Sequence, residues 1–162
     1  MSVINRVREK IIKADNLILE VNRLRKQDIK VIFTNGCFDI LHLGHLEILT
    51  KSKELGGKLI VAVNSDESVK KLKGEKRPIN NFQTRSQILA SFSFIDYVIE
   101  FTDVTPKKLI QKIKPDFLVK GGDYKEDDIV GNDIVSSNGG KTIIIPLVDG
   151  FSSTNTINRI NK

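Results

Sequence analysis

Residues 34–45 read TNGCFDILHLGH and decide the fold of this chain. They follow a short apolar run at 31–33 and lead into a segment whose apolar residues recur at helical spacing up to about Leu55. This order predicts a strand, a glycine-bearing turn and a helix, an arrangement that directs backbone N–H groups and the positive end of a helix dipole at an anion. We therefore expect an anion site where the first strand meets the next helix.

Both histidines of the chain lie in this joint, as His42 and His45 with Gly44 between them. Imidazole nitrogens can donate hydrogen bonds to phosphate oxygens, and a glycine lets a phosphate approach the backbone closely. The structural alternative is that one histidine caps the helix and the other packs against the rest of the protein. The confinement of both to a single turn favours the phosphate-binding role.

The residues at 42–45 resemble the H-x-G-H signature of the nucleotidyltransferase superfamily, whose members transfer a nucleoside monophosphate from ATP or CTP to a phosphorylated acceptor. The longer string at 33–42 is similar to one branch, the adenylyltransferases of ADP-heptose synthesis. This resemblance implies transfer of AMP from ATP, with Mg²⁺, to a heptose 1-phosphate. It runs from about residue 10 to the C-terminus, through further segments at 61–66, 73–80, 96–98, 119–124 and 146–154.

Apolar runs of strand length alternate with amphipathic segments along the chain. Strands are expected at about 30–34, 58–63, 96–100, 117–119 and 142–145, and helices at about 15–25, 43–55, 84–94 and 127–137, with shorter helices after 66, 105 and 153. This alternation predicts right-handed βαβ units. We expect an α/β, Rossmann-like fold with a doubly wound, five-stranded parallel sheet and helices on both faces. Residues 1–28 are expected to form a leader helix packed on a nucleotidyltransferase domain at 29–162.

Polar clusters follow four of the expected strands, at 35–45, 64–66, 120–123 and 152–154. Ligands of doubly wound sheets bind beyond the carboxyl ends of the strands, so these clusters should share one rim. Nucleotidyl transfer needs no side-chain nucleophile, because a phosphate oxygen of the acceptor can attack. The protein has to position two anions and stabilise the developing charge.

The residues and the resemblance together assign four groups of candidate site residues. Charge stabilisation during transfer is assigned to His42, His45 and Lys73. Nucleotide contacts are assigned to Asn35, Gly36, Phe38, Asp39, Gly44, Lys120, Gly121, Gly122, Asp123, Ser152, Ser153 and Thr154. Acceptor binding is assigned to Asn64, Asp66 and Arg77, and structural support to Arg85 and Asp96, in the form of an ion pair.

Several of these assignments leave alternatives open. Asp39 either helps to hold Mg²⁺ or orients the turn. The basic segment 70–77 is either a solvated helix end, where cations are favoured, or a phosphate contact. Cys37 is expected to pack near the turn. The family often has arginine where Phe151 stands, so one phosphate contact is missing or comes from Arg77 or Arg159.

The composition of the chain indicates which compartment to expect for it. The 162 residues are 40% hydrophobic and 28% charged, as in soluble globular domains. No apolar run approaches the roughly 20 residues of a membrane span. Without a secretory signal, and with Cys37 as its single cysteine, the chain is expected in the cytoplasm.

The net charge of +6 suits a small polyanionic substrate as well as nucleic acid. The expected partners are ATP and a sugar 1-phosphate, with neither nucleic acid nor a membrane. The resemblance implies a separate sugar kinase upstream, and a homodimer is left open. The alternatives are a transferase acting on glycerol 3-phosphate, another sugar phosphate or a flavin, and a non-catalytic nucleotide- or RNA-binding protein.

Overall fold

A computed structural model describes residues 2–148 and 150–160 and, of Asn155 and Asn158, only the backbone. Five parallel strands form one sheet in the order β3-β2-β1-β4-β5. They are β1 Val31–Gly36, β2 Lys58–Asn64, β3 Tyr97–Phe101, β4 Phe117–Gly121 and β5 Lys141–Ile145. The predicted α/β fold is confirmed, and the strand order reverses between β1 and β4. A ligand crevice is expected at that switch point.

The helices between the strands complete the βαβ units. They are α1 Val3–Glu9, α2 Ala14–Lys26, α3 Leu43–Glu54, α4 Asp66–Lys73, α5 Phe82–Ser91, α6 Lys107–Ile113, α7 Asn132–Ser137 and α8 Ser153–Ile160, with a 3₁₀ turn at Glu126–Asp128. No helix in the described ranges has both the length and the apolar character needed to cross a bilayer.

Two helical segments differ from the prediction. Helix α1 was not predicted: none of its residues is fully buried, and it packs on the apolar cluster that α3 and α5 share through the half-buried Val7, a contact that the sequence alone does not show. The helix expected at about 127–137 is divided into the 3₁₀ turn and α7. Gly131 separates the two with a φ of 95°, and a Cβ there would come within 2.6 Å of Ile110 Cδ1. The positive φ and this close approach both require glycine.

The sheet is covered on both faces. Alternate residues of the central strands, such as Phe33 and Ile60, pack with Leu17 of α2 and Ile110 of α6 in one apolar cluster. Their neighbours in sequence belong to a second cluster with α3 and α5, whose members include Ile32, Val61, Leu49 and Leu89. Strands buried on both faces read as continuous apolar runs. Packing on both faces therefore holds the carboxyl ends of β1, β2 and β4 in a common rim.

Candidate active site

Two adjoining cavities open at this rim. The first, here called the histidine cavity, has a volume of about 360 Å³ and lies between the β1–α3 joint, the end of β4 and residues 152–154. The second, here called the side cavity, has a volume of about 400 Å³ and extends from the ends of β1 and β2 towards residues 104–106 and 128–130. The polar clusters that follow the strands are therefore brought together as expected. Both volumes lie in the range typical of small-molecule sites.

His42 and His45 form one stacked unit in the histidine cavity. His42 directly precedes α3 and His45 lies in its first turn; the two ring centroids are 3.9 Å apart with an interplanar angle of 26°. Among the described residues, neither Nδ1 atom has a hydrogen-bond partner, although both are buried. A Cβ on Gly44 would come within 3.1 Å of His42 Nδ1, so a larger residue there would displace the ring by a few tenths of an ångström.

Burial controls the charge of both histidines. It lowers the pKa of His42, and it lowers the pKa of His45 to about 4, with the charge of His42 as a second cause. Both imidazoles are therefore neutral in the free protein at neutral pH. The negative charge of a polyphosphate in the cavity would oppose this shift and favour the protonated rings. The pair is thus suited to a ligand that brings its own negative charge.

The ordinary pKa of histidine is 6.5, and that of His45 in the folded protein is about 4. We expect the free protein to lose stability as the pH falls through this interval. In this interval the unfolded histidine binds a proton that the folded histidine does not bind, so acid favours the unfolded state. Urea unfolding of the wild type and of His45→Gln, at neutral pH and inside the interval, measures the effect. The variant should lose less stability; equal losses would contradict a buried neutral imidazole.

Asp39 connects the turn after β1 to the loop at 77–80. Its carboxylate is almost fully buried and accepts hydrogen bonds from Arg77 Nε (2.6 Å), Ile79 N (2.9 Å) and Asn80 N (2.9 Å). Burial alone would raise its pKa, but the two backbone donors and the guanidinium outweigh burial and hold the pKa below its ordinary value. Because both oxygens already have donors, this geometry supports orientation of the turn and gives no support to Asp39 as a metal ligand.

The predicted ion pair between Arg85 and Asp96 is wrong, because the two residues lie at opposite ends of the sheet. The Arg85 side chain is fully buried at the carboxyl ends of β1 and β2, where it pairs with Asp66 at 2.7 Å. Asp96 precedes β3 and pairs with Lys53 at 2.5 Å and Lys58 at 2.8 Å. Arg85 also donates to the backbone oxygens of Cys37, Asn64 and Asn80. Each residue supports the structure separately.

The residues predicted to bind the acceptor have different surroundings. Asp66 is engaged by Arg85, and Arg77 is engaged by Asp39 and lines the histidine cavity. Asn64 lines the side cavity and donates from Nδ2 to Ser68 Oγ at 2.9 Å. Lys73, at the exposed end of α4, lines both cavities.

Lys120 lies where the two cavities meet. It lines both, and its Nζ donates to Asn35 Oδ1 at 3.2 Å. Within the described part of the chain, no carboxylate forms an ion pair with it. Burial lowers the pKa of this lysine. Cys37, which was expected to pack near the turn, is half-buried beside it and lines both cavities as well.

Most of the other residues predicted to contact the nucleotide line the histidine cavity, and two lie outside both cavities. Asn35, Gly36, Phe38, Gly44, Gly121, Ser152, Ser153 and Thr154 line the histidine cavity. Ser153 Oγ also donates to Ile40 O at 3.0 Å, which ties the start of α8 to the β1–α3 joint. Gly122 and the exposed Asp123 line neither cavity. Asp149, in the segment that carries part of the resemblance, lies outside the described residues.

Sequence reasoning missed most of the side cavity. Thr105 and Pro106 were interpreted only as the start of α6, and Asp128 only as part of a helix, yet all three line this cavity. Tyr124, which lines both cavities, was noted in the resemblance but was not assigned to the site. The sequence did contain one indication of their role. These segments follow β3 and β4, and therefore lie at the same rim as the histidine joint.

Comparison with known proteins finds a matching family model and similar curated proteins. The chain matches the family model described as cytidylyltransferase-like over residues 33–158. It is 51% identical over 143 residues to the bifunctional protein HldE of Syntrophotalea carbinolica, covering 88% of this chain and 29% of the relative. The chain therefore spans less than a third of the length of that curated relative.

Two solved structures are similar. The lipopolysaccharide core biosynthesis protein from Thermoplasma volcanium matches with a TM-score of 0.60 and 27% identity, over 74% of this chain and 97% of that one. Pantoate-beta-alanine ligase from Francisella tularensis matches with a TM-score of 0.67 over 91% of this chain and 72% of that one. At 21% identity, this second likeness shows the fold alone.

Proposed function

Because the chain belongs to the cytidylyltransferase-like family, we propose that it transfers AMP from ATP to a heptose 1-phosphate, forming ADP-heptose and pyrophosphate. The observation that carries the proposal is the stacked pair His42 and His45 in a cavity that also contains Arg77 and Lys120. The choice of heptose follows the resemblance at 33–42 and 119–124. It agrees with the 51% identity to HldE and the likeness to a lipopolysaccharide core biosynthesis protein.

The reaction needs no general base from the protein. An anionic phosphate oxygen of the acceptor forms a bond to the α-phosphorus of ATP, and the bond from that phosphorus to the oxygen bridging to the β-phosphorus breaks. Pyrophosphate leaves with the electron pair, so no proton has to move. The barrier is lowered by holding the two anions in line and by stabilising charge on the transferred and departing groups.

ATP is assigned to the histidine cavity. His42 and His45 would contact its phosphates at the start of α3, where backbone N–H groups and the helix dipole favour an anion. The beginning of α8 contributes a second set of N–H groups without intrahelical partners. Gly121 also lines this cavity, and a Cβ there would lie 2.1 Å from Ile48 Cδ1, so glycine lets α3 pack closely on the end of β4.

Mg²⁺ would accompany the triphosphate. In the described part of the chain, no three histidine, cysteine or carboxylate residues form a group that could hold a metal ion. Asp39 is engaged by its own donors. The described residues thus do not form a protein-built metal site, and Mg²⁺ is proposed only as a counter-ion of ATP, as is common for this ion.

The setting of the reaction belongs to the same proposal. The acceptor already carries its phosphate, so a separate kinase-type reaction has to supply it. A cytoplasmic location fits the use of ATP and a chain with one cysteine, since disulfides are rare in that compartment. A homodimer also remains a proposal, which size-exclusion chromatography with light scattering would test.

We expect kcat/KM to be at least about a hundredfold higher with ATP than with CTP, because donors and acceptors placed for adenine are left unpaired by cytosine. Heptose 1-phosphate should likewise be preferred to glycerol 3-phosphate. Pyrophosphate release with Mg²⁺, measured for both nucleotides with both acceptors, tests these preferences. Efficient use of CTP with glycerol 3-phosphate would overturn the heptose assignment. ATP binding without turnover of either acceptor would indicate a non-catalytic nucleotide-binding protein.

A further inference from the structure

The side cavity is continuous with the histidine cavity over a shared floor. Both are lined by Asn35, Cys37, Lys73 and Lys120 at the ends of β1, α4 and β4. Beyond this junction the side cavity has no histidine in its wall and extends instead towards residues 104–106 and 128–130. A reaction between two bound molecules could occur only where these compartments meet.

The charge at the junction is unbalanced. A lysine ammonium group has three N–H donors, and the hydrogen bond described for Lys120 is the one to Asn35. None of the described carboxylates forms an ion pair with it. A half-buried cation without a counter-charge is costly, and burial accordingly lowers the pKa of Lys120. An anion bound at the junction would supply the missing counter-charge.

The outer part of the side cavity has a different chemical character. Thr105 and Asp128 contribute polar groups, and Pro106, Ile129 and Val130 contribute apolar walls. Hydroxyl groups of a sugar can hydrogen-bond to the former, while the C–H faces of its ring pack on the latter. A cavity of about 400 Å³ has room for a body larger than glycerol.

We propose that the side cavity is the acceptor subsite, and that Lys120 binds the acceptor's phosphate at the junction rather than the nucleotide. The ligand class is a phosphate monoester of a polyhydroxylated ring. This inference deepens the proposed function and rests on it for the identity of the reaction. It also replaces Asp66 and Arg77 as acceptor ligands, since Arg85 and Asp39 already engage them.

The geometry of transfer explains why Lys120 serves the acceptor. Reacting atoms in an enzyme complex have to approach to about 3–3.5 Å. With the triphosphate at His42 and His45, we place the attacking oxygen at the shared floor, because that is where the side cavity adjoins the histidine cavity. Arg77 lines the histidine cavity but not the side cavity. The acceptor's phosphate therefore depends on the two cations at the junction, Lys73 and Lys120, of which Lys120 is the less exposed.

The first test compares Lys120→Met with Lys120→Arg. Losing a charge-assisted hydrogen bond should raise the KM for heptose 1-phosphate about tenfold to a hundredfold. The Kd for a non-hydrolysable ATP analogue should stay within about twofold, a split that a merely structural lysine would not produce. Lys120→Arg should recover part of the loss. Lys125→Met, an exposed lysine outside both cavities, is the matched control and should behave as the wild type.

The second test does not depend on turnover. Cys37 is the single cysteine of the chain and lies at the junction, so its rate of labelling by a thiol reagent reports occupancy there. Heptose 1-phosphate without ATP should slow labelling in the wild type and in Lys125→Met, but not in Lys120→Met. If the protection depends on Lys120 while no acceptor is turned over, the subsite stands and the proposed function fails.

Two results with an active wild type would overturn the inference. One is that Lys120→Met raises the Kd for the ATP analogue as much as it raises the KM for the acceptor. The other is that it raises neither. If Lys120→Met does not fold, Thr105→Val provides the test from the outer part of the cavity. That variant should raise the acceptor KM several-fold with unchanged ATP binding. An unchanged acceptor KM in a folded Thr105→Val would then overturn the assignment.

Discussion

Replacement of His42 or His45 by alanine is expected to lower kcat by about a hundredfold or more, as loss of one preorganised donor to a developing negative charge does in other enzymes. The two rings stack on each other at 3.9 Å, so either change also removes the packing partner of the remaining ring. We therefore expect the double variant to lose less than the product of the two single losses, since residues that act as a unit are not additive.

Steady-state kinetics under saturating ATP, with thermal melting of each variant, separate chemistry from folding. Leu46→Ala is a suitable control, because Leu46 lies on the first turns of α3, is 38% exposed and lines neither cavity. It should retain nearly normal turnover. If both histidine variants keep turnover within a few-fold and only melt earlier, the rings serve the structure of the turn and the phosphate assignment is wrong.

Asp39→Ala is expected to reduce the free energy of unfolding by about 3–5 kcal/mol, the range found when one partner of a buried ion pair is removed. The Arg77 side chain is only 14% exposed and would lose its counter-charge. The backbone N–H groups of Ile79 and Asn80 would lose their acceptors. Turnover should fall as well, because Arg77 would no longer be held beside the histidine cavity.

Urea unfolding at neutral pH measures this loss, and Asp103→Ala provides the comparison. Asp103 forms an exposed ion pair with Lys108 at 3.0 Å, and such pairs contribute about 0–1 kcal/mol. A loss in Asp39→Ala no larger than in Asp103→Ala would show that the turn does not depend on this carboxylate. Asp39 would then return to consideration as a metal ligand.

The central strands were predictable because they are buried on both faces. Lys58–Asn64 reads as a nearly continuous apolar run, and every residue after Lys58 is buried. Such runs, alternating with amphipathic segments, indicate a parallel sheet without further information. Helix α1 and the interruption at Gly131 were not predictable in the same way. The first contributes only the half-buried Val7 to the core, and the second depends on contact with Ile110, which is distant in sequence.

The histidine joint could also be found from local sequence. His42, Gly44 and His45 lie within four residues, and the family match over 33–158 confirms the resemblance that they carry. The ion pairs could not be found in this way. Arg85 and Asp96 are close in sequence but lie at opposite ends of the sheet, whereas Arg85 and Asp66, or Asp39 and Arg77, are distant in sequence and in contact.

The amino-acid sequence by itself determined the α/β class, the strand–turn–helix joint and the pair of histidines in it, because periodicity, turn chemistry and short motifs are local properties. Only the tertiary structure decided which charges neutralise each other and that Lys120 lies between two cavities. These features depend on which strand ends converge and which helices cover them. The packing of both faces of the sheet places residues 35, 73 and 120 around the same junction between the cavities. No local sequence pattern indicates that these three residues lie close together.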